Sequence, residues 1–325
     1  MSERSQRTEF RQPGIGIFMT IAVSASIASR LKALYQQSCH PQADTESHLS
    51  EALRQTLQHP GNMIRAELAY RLGRSYDLPE ASSECLAIAI EYFHTASLVF
   101  DDLPCMDDAV LRRGATCIHR AHGEGAAILA ALALINHAYG LLWRGVAHSS
   151  AEARARALEY VEQQLGLAGL LNGQSRDLHM REASRQPRVY QQIAIGKTVS
   201  LIRMALVVPA IAGGASEYEQ CLLDRLAMAW GLSYQILDDL KDVLHTAQDS
   251  GKTADRDQKL ERPNLALTIG VEASFRRVQR LVNISDRLLA RIFQQQTGLF
   301  FLRETLDRFR SEMATMVTGA SAASL

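Results

Sequence analysis

The chain has 325 residues, of which 47% are hydrophobic and only 6% aromatic, and its 35 basic residues balance its 35 acidic ones. A net charge of zero excludes the broad basic surface by which many proteins bind nucleic acid. The low aromatic content and the 8 prolines favour helices over a β-sandwich. We predict an all-α fold, in one helical domain over 1–325 with short flexible tails at about 1–14 and 318–325.

The predicted elements follow from apolar periodicity and turn signals. The apolar run Ile15–Ala28 is interrupted by polar residues and is too short to span a membrane, so we expect a first core helix and no stable membrane span. The polar segment His245–Asn264 has the length of a mobile flap. The predicted helices are about 15–37, 46–57, 62–76, 80–103, 119–147, 151–172, 187–212, 217–244, 272–295 and 298–317.

The five cysteines are scattered and form no CxxC pair. An odd, dispersed set of this kind is typical of a reduced protein, and we expect a cytoplasmic one. Cys117, His119 and His122 lie close together in sequence, but no fourth zinc ligand is evident. The favoured interpretation of these three residues is the start of a helix.

The first acidic cluster ends the helix predicted at 80–103 and includes Asp101, Asp102, Asp107 and Asp108. Proline disfavours helix for the residue before it, so the chain should bend at Leu103–Pro104 and could return Asp107 to Asp101. Carboxylates at a helix C-terminus oppose the helix dipole unless a cation binds them. Mg²⁺ prefers such oxygens together with substrate phosphates. An ordinary exposed helix end remains the alternative for an isolated cluster.

The second cluster contains Asp238 and Asp242, which share one helix face with Gln235. Asp239 is turned about 100° away and is predicted to support the others. A solvated acidic face is the alternative, but the preceding apolar run Leu226–Leu237 disfavours it.

Basic residues are placed to complement both clusters. Arg112 and Arg113 follow the first cluster, Lys197 and Thr198 interrupt an apolar helix, and Lys252 lies in the predicted flap. Each cation alone would be interpreted as a surface residue. Together with the acids they match a diphosphate, in which metal ions bridge phosphate to carboxylate and cations bind the remaining oxygens.

These motifs identify a family resemblance. The segment His94–Asp108 with Arg112-Arg113-Gly114, and the segment Tyr234–Asp242, resemble the two aspartate-rich motifs of the trans-isoprenyl diphosphate synthases, the polyprenyl synthetase family. The intervening signatures occur in the same order over about 60–310, which is more specific than a single motif. They are Gly173-Gln174 with Asp177, Lys197-Thr198, and Gly251-Lys252-Thr253.

The resemblance implies an isoprenoid-synthase-type helical bundle with a central cavity, usually a homodimer. It implies Mg²⁺-dependent condensation of isopentenyl diphosphate with an allylic prenyl diphosphate, carried by electrostatic stabilisation and orientation without a protein nucleophile. Asp101, Asp107, Lys197 and Asp238 would be catalytic. The implied metal ligands are Asp101, Asp102, Asp107, Asp238 and Asp242, with two Mg²⁺ at Asp101 and Asp107 and a third at Asp238. The implied allylic diphosphate ligands are Arg112, Lys197, Thr198, Gln235 and Lys252, and those for isopentenyl diphosphate are Arg65, His94 and Arg113.

The chain departs from the family pattern at two places. Asn62 stands where the family has a lysine, which removes one charge from the isopentenyl diphosphate site and would weaken binding about tenfold to a hundredfold. Glu261–Leu265 replaces the usual Lys-x-Thr-Tyr-Pro. A class I terpene cyclase that needs no isopentenyl diphosphate and a non-catalytic synthase subunit therefore remain alternatives. A purely structural bundle would leave the matched acids and bases unexplained.

The helix before Asp101 should line the elongation tunnel. In the family, a large aromatic four or five residues before the motif stops growth at fifteen carbons. Ala96 and Ser97 occupy those positions here, so we predict geranylgeranyl diphosphate as the product. Phe93 and Tyr92, at helical spacing below Ala96, are predicted to form the next floor.

Overall fold

The computed structural model describes residues 14–179, 186–248 and 264–322, with side chains at 26–179, 186–244 and 264–316. Helices dominate these ranges, which confirms the predicted all-α fold. The helices are α1 (Gly14–Ser38), α2 (Ser47–Gln58), α3 (Ile64–Ser75), α4 (Glu80–Asp101), α5 (Ile118–His122), α6 (Glu124–Gly145), α7 (Ala151–Leu165), α8 (Leu170–Leu178), α9 (Pro187–Ala194), α10 (Ser200–Ala212), α11 (Glu217–Gln248), α12 (Leu265–Ile269), α13 (Val271–Gln295) and α14 (Leu302–Ala322).

Three predicted helices are interrupted. The helix expected at 119–147 breaks at Gly123, whose φ of 86° is accessible to glycine at little cost and separates α5 from α6. The helix expected at 151–172 ends at Leu165, and α8 restarts at Leu170. Between α9 and α10 the chain forms a π-helical turn, Ile195–Val199. Such turns are rare and often mark functional sites.

Other differences lie at element ends. A short hairpin, β1 (Leu111–Arg112) with β2 (Ala115–Thr116), follows the first acidic cluster and was not predicted. Helix α11 continues to Gln248, into the expected flap, and α14 continues to Ala322, into the expected tail. The rest of the flap, 249–263, lies outside the described residues, as does Lys252.

Helix α4 is the centre of the bundle. It packs against α3, α6 and α10 and buries residues all round, including Leu86, Ile88 and Ile90. A helix that is apolar on every side belongs in the core of a protein. Its C-terminal end at Asp101 therefore delivers a carboxylate to the inside of the bundle, where it must meet a counter-charge.

Two segments are long and apolar enough to cross a membrane by length and composition, namely α6 and the stretch Pro187–Ala212. The apolar window of Pro187–Ala212 is 83% buried inside the bundle, and that of α6 is 39% buried. Core helices of soluble proteins satisfy the same test.

Candidate functional site: a cavity between two acidic clusters

A cavity of about 1050 Å³ opens beside the C-terminal end of α4. Charged residues line one part of its wall, and apolar residues such as Phe93, Ile135 and Leu165 line another. The structure therefore brings together motifs that lie far apart in sequence. The predicted site residues on the wall are Arg65, His94, Asp101, Asp107, Arg112, Arg113, Lys197, Thr198, Gln235, Asp238 and Asp242.

The loop after α4 folds back as predicted. The Asp107 N–H donates to the Asp101 carbonyl at 2.8 Å, and the Asp108 N–H donates to the Leu103 carbonyl at 3.0 Å. These bonds satisfy carbonyls that a helix C-terminus leaves free. They also return Asp107 to the level of Asp101, so both carboxylates reach the cavity.

Asp102 does not share that position. Its side chain is 6% exposed, it is not part of the cavity wall, and it accepts hydrogen bonds from Arg112 Nε at 2.9 Å and Nη2 at 2.5 Å. The structure shows Asp102 paired with Arg112 and turned away from the cavity, and its role as a metal ligand stays a prediction. A carboxylate held by a guanidinium in this way fixes the direction of the arginine, so Asp102 orients Arg112 towards the cavity.

Lys197 is carried by the π-helical turn. Its ammonium donates to Asp177 Oδ2 at 2.7 Å and lies 3.6 Å from Asp101 Oδ2. A Cβ on Gly196 would lie 2.5 Å from the Gly173 Cα, so glycine is required where this turn meets α8. Burial lowers the pKa of Lys197, but Asp101 and Asp177 raise it by more. The ammonium therefore stays charged between the two acids.

The second cluster is supported from behind. Thr198 Oγ1 donates to Gln235 Oε1 at 2.7 Å, and Gln235 Nε2 donates to Asp239 Oδ1 at 2.9 Å. The other Asp239 oxygen accepts the Leu265 N–H at 2.7 Å, which ties α11 to the start of α12. Asp239 thus has the supporting role expected from the sequence, and it lines the cavity together with Asp238 and Asp242.

The loop before α3 closes the basic end of the cavity. Arg113 Nη1 donates to the His59 carbonyl at 2.7 Å, and a Cβ on Gly61 would lie 2.6 Å from the Arg113 Cζ. Asn62 lines the cavity, and its Oδ1 accepts the Ile64 N–H at 3.3 Å. The Asn62 amide therefore serves the first N–H of α3, and it supplies no charge in place of the lysine.

His94 faces the same basic end. Burial and the neighbouring charges of Arg65, Arg113 and Arg112 lower the pKa of His94 well below its usual value. A neutral imidazole can donate one hydrogen bond to a phosphate oxygen, but it adds no charge to the site.

The structure separates the residues predicted to set product length. Ser97 and Phe93 line the cavity, and the Phe93 ring meets Tyr139 of α6 edge-on at 5.0 Å between centroids. Ala96 is fully buried and does not line the cavity. Tyr92 is also fully buried, and its hydroxyl donates to the Tyr35 carbonyl. The predictions for Ala96 and Tyr92 are therefore wrong, because both side chains lie on the core face of α4.

Sequence reasoning assigned no role to Asp177 and did not consider Arg277. Asp177 belongs to a recognised signature, but its pairing with Lys197 depends on how α8 meets the π-helical turn. Arg277 of α13 lines the cavity and donates to Gln191 Oε1 at 2.7 Å. It follows Arg276 on an amphipathic helix, so no signal in the sequence distinguishes it from a surface arginine.

In the absence of metal, Asp101 should make the free energy of unfolding of the protein depend on pH. Burial raises the pKa of Asp101 from 3.8 to about 6, even though Lys197 and Arg112 lower it. The folded state then binds a proton more tightly than the unfolded state, so this stability is present below about pH 4 and lost as pH rises through about 6. Without Mg²⁺ at pH 8, Asp101→Asn should be more stable than wild type by about 2–3 kcal/mol. Urea unfolding at pH 8 and pH 5 measures this.

The difference in stability between Asp101→Asn and wild type should be smaller at pH 5. Asp108→Asn, a change at an exposed acid, is the control. An equal gain at both pH values would contradict the assignment.

The carboxylates suit a hard cation whose remaining coordination positions are filled by a bound substrate. Within 26–179, 186–244 and 264–316, no group of three or more His, Cys, Asp or Glu side chains is arranged to hold a metal ion by itself. Asp101 and Asp107 line the same cavity as Asp238 and Asp242. Mg²⁺ is commonly bound by one or two carboxylates plus substrate phosphates, so this donor set suits Mg²⁺ with a diphosphate.

The sequence profile of polyprenyl synthetase matches residues 46–296. This chain belongs to the polyprenyl synthetase family. It is 33% identical over 251 residues to a geranylgeranyl diphosphate synthase of Pseudescherichia vulneris, covering 77% of this chain and 80% of that protein. It is 34% identical over 253 residues to a chloroplastic geranylgeranyl pyrophosphate synthase of Arabidopsis thaliana, covering 77% and 71%. The prediction that the chain is a prenyltransferase is thereby confirmed.

Solved structures show the same fold. A geranyltransferase from Legionella pneumophila has a TM-score of 0.75 at 22% identity, covering 90% of this chain and 98% of that one. A geranyltransferase from Helicobacter pylori, complexed with magnesium and isoprenyl diphosphate, has a TM-score of 0.71 at 20% identity, covering 96% and 99%. The predicted isoprenoid-synthase-type bundle is thereby confirmed.

Proposed function

We propose that this prenyltransferase condenses isopentenyl diphosphate with an allylic diphosphate to form geranylgeranyl diphosphate, in a Mg²⁺-dependent reaction. The observation that carries the proposal is one cavity with both acidic clusters, Lys197 and a separate basic end on its wall, joined to an apolar half. Two diphosphates and a growing hydrocarbon chain need these three environments together.

The proposed ligands form one group for each diphosphate substrate and one for the metal ions. Lys197, Thr198, Gln235 and Arg112 hold the allylic diphosphate, and Arg65, Arg113 and His94 hold isopentenyl diphosphate. Asp101, Asp107 and Asp238 would hold three Mg²⁺ ions. When bound, these ions would neutralise charge on the departing diphosphate. We propose that Asp242 completes the second cluster and that Lys252 adds a further cation.

The reaction then needs no protein nucleophile. The allylic C–O bond breaks with its electron pair on the diphosphate oxygen, where Lys197 and Arg112 stabilise the developing charge. The double bond of isopentenyl diphosphate attacks the allylic cation and forms the new C–C bond. The proton lost in restoring a double bond goes to the released diphosphate. Orientation of the two chains in one cavity accounts for much of the rate.

Condensation is favoured over cyclisation because the basic end of the cavity is retained. Cyclisation of one prenyl diphosphate requires no second anion site. Arg65 and Arg113 both line the wall, and the Gly61 turn is shaped around the Arg113 guanidinium. The missing lysine at Asn62 reduces the charge of this site but leaves its two arginines.

A product assay tests the proposal. Farnesyl diphosphate and Mg²⁺ are supplied with or without isopentenyl diphosphate, and both polar and hydrocarbon products are identified by mass spectrometry. The expected result is a twenty-carbon diphosphate that forms only when isopentenyl diphosphate is present. A hydrocarbon or alcohol formed from farnesyl diphosphate alone would replace the proposal with a cyclase.

The depth of the apolar half supports a twenty-carbon product. Phe93 lies four residues before Ser97 on α4, which is about 6 Å deeper along the helix. One isoprene unit adds four main-chain carbon–carbon bonds of about 1.5 Å each, so its extended length is at most about 6 Å. A floor at the Phe93–Tyr139 pair thus admits one unit more than an aromatic at the level of Ser97, which in the family stops growth at fifteen carbons.

Ser97→Phe should therefore shorten the main product from twenty to fifteen carbons, because the new ring would occupy the cavity one unit above the Phe93 floor. Products from geranyl and isopentenyl diphosphates, separated by chain length, measure the change. Ala96→Phe is the matched control, since its ring would enter the packed core and lower stability instead. An unchanged chain length for Ser97→Phe would remove Ser97 from the tunnel.

We further propose that the chain is a cytoplasmic homodimer that pairs through α6. Apolar residues recur on its outward face, with Leu129, Leu132 and Trp143 about half exposed. Their spacing makes one stripe along the helix. Contiguous apolar surface of this kind marks an interaction site, and a self-complementary twofold pairing is the commonest way to cover it. The free cysteines among the described residues support a reducing compartment.

Leu132→Arg should convert the dimer to monomers at micromolar concentration, because it places a charge in the apolar stripe. Sedimentation equilibrium measures the mass. Tyr218→Arg, at an exposed aromatic of α11 away from the stripe, is the control and should remain dimeric. A Leu132→Arg protein that sediments as a dimer would exclude α6 as the interface.

A further inference from the structure

Arg277 of α13 is a cation on the cavity wall that the proposed reaction leaves unassigned. Its side chain is half-buried, and its Nη2 donates to Gln191 Oε1 at 2.7 Å. Gln191 belongs to α9 and lines the same cavity. Among the described residues Arg277 has no ion-pair partner, whereas the neighbouring Arg276 pairs with Glu272 outside the cavity wall. A neutral amide therefore holds Arg277 in place and leaves its positive charge uncompensated.

The packing of α13 places Arg277 on the side of the second acidic cluster. The start of α12, just before α13, is bonded to Asp239, because the Leu265 N–H donates to its Oδ2 at 2.7 Å. Leu281, one turn after Arg277, packs against an apolar cluster that contains Leu232. Arg277 therefore lies beside the part of α11 between Leu232 and Asp239.

That part of α11 carries two residues proposed to serve the allylic diphosphate, Gln235 as a ligand and Asp238 through Mg²⁺. Gln191 is connected to the same site along the chain, since α9 continues into the π-helical turn that carries Lys197 and Thr198. Both elements that position the Arg277 guanidinium therefore adjoin the allylic half of the cavity.

The chemistry of the guanidinium suits a diphosphate. It has five N–H donors in a planar fork, and the bond to Gln191 uses one of them. The remaining donors can bind two phosphate oxygens in parallel, which an ammonium cannot do with the same geometry. Leu265 and Leu267 of α12 line the same cavity, and apolar surroundings strengthen a charge-assisted bond.

We propose that Arg277 is a further ligand of the allylic diphosphate, held at the cavity wall by Gln191. This inference rests on the proposed function. It adds a cation from α13 to those proposed on the hairpin and the π-helical turn. The isopentenyl diphosphate site should not depend on Arg277, because its proposed ligands are carried by α3, α4 and the hairpin.

The test compares Arg277→Gln with Arg276→Gln, the adjacent arginine of α13. Titration calorimetry with farnesyl diphosphate and Mg²⁺ measures the Kd, and steady-state kinetics measure the KM for isopentenyl diphosphate. We expect Arg277→Gln to raise the Kd for farnesyl diphosphate about tenfold, as for loss of one charge-assisted contact, and to leave the KM for isopentenyl diphosphate unchanged. Arg276→Gln should change neither value.

Gln191→Leu separates a ligand from a structural link between α9 and α13. It removes the hydrogen bond but keeps the charge of Arg277, so it should raise the Kd for farnesyl diphosphate less than Arg277→Gln does. An equal rise in both variants, or an unchanged Kd in Arg277→Gln, would overturn the inference.

Should Arg277→Gln fail to fold, Arg277→Lys decides the question. It keeps the charge without the planar fork, so a smaller rise of the same Kd is expected, and no rise would refute the role. Failure of the proposed function is distinct, because the wild-type protein would then consume no isopentenyl diphosphate.

Discussion

Asp101→Asn is expected to lower the turnover number on the order of 10³-fold while the protein stays folded. Asp101 ends α4, lines the cavity and lies 3.6 Å from the Lys197 ammonium. Loss of its charge removes a proposed Mg²⁺ ligand, and losing one preorganised electrostatic group at a reacting centre costs about 2.7–4 kcal/mol of transition-state stabilisation. Steady-state turnover at saturating Mg²⁺ and substrates, with thermal unfolding as the check on folding, measures the effect.

Asp108→Asn is the matched control for this prediction. Asp108 belongs to the same acidic run, but it is exposed and forms an ion pair with Arg120 at 2.6 Å. Its replacement should leave turnover near that of the wild type. Asp238→Asn, in the second acidic cluster of the same cavity, should share the defect of Asp101→Asn. Near-normal turnover in either of these two variants would refute the assignment of the metal site.

Lys197→Gln is expected to reduce turnover about 10²–10³-fold and to destabilise the protein at neutral pH. The ammonium lies between Asp177 and Asp101, so its removal leaves two largely buried carboxylates facing each other. Breaking a buried pair by removing one partner costs about 3–5 kcal/mol, and the 27% exposure of the Lys197 side chain reduces this to about 2 kcal/mol. Turnover and urea unfolding measure the two effects.

The stability loss should be smaller at pH 5, because protonation of Asp101 relieves the repulsion. Lys241→Gln is the control, since Lys241 pairs with Glu312 on the outer side of α11 and is more exposed. It should change stability by less than about 1 kcal/mol, as for surface ion pairs. A Lys197→Gln protein with normal stability and turnover would mean that the ammonium neither binds substrate nor neutralises the acids.

The structure gives Asn62, which departs from the family motif, a defined local hydrogen bond. From the sequence alone, Asn62 was a missing charge. In the structure its Oδ1 accepts the Ile64 N–H at the start of α3, next to the loop that Arg113 contacts through the His59 carbonyl. An amide can make this local bond, but it cannot neutralise a phosphate. The positive charge at this end of the described cavity wall is therefore that of Arg65 and Arg113.

The sequence by itself determined the helical class, most helix positions and nearly all the residues of the site. Helical periodicity and turn residues are local properties, and the motifs specify side-chain types at fixed spacings. The return of Asp107 towards Asp101 was predictable because Pro104 acts on its immediate neighbour. The supporting position of Asp239 followed from helix geometry alone.

The tertiary structure alone decided what depends on contacts between distant elements. The direction of Asp102 is set by Arg112 from the hairpin, and the pairing of Lys197 with Asp177 requires Gly196 against Gly173. Which face of α4 meets the cavity separates Ser97 from Ala96, because Ser97 lines the cavity and Ala96 is buried in the core. Periodicity places a residue on a helix face, but packing decides whether that face meets a substrate or the core.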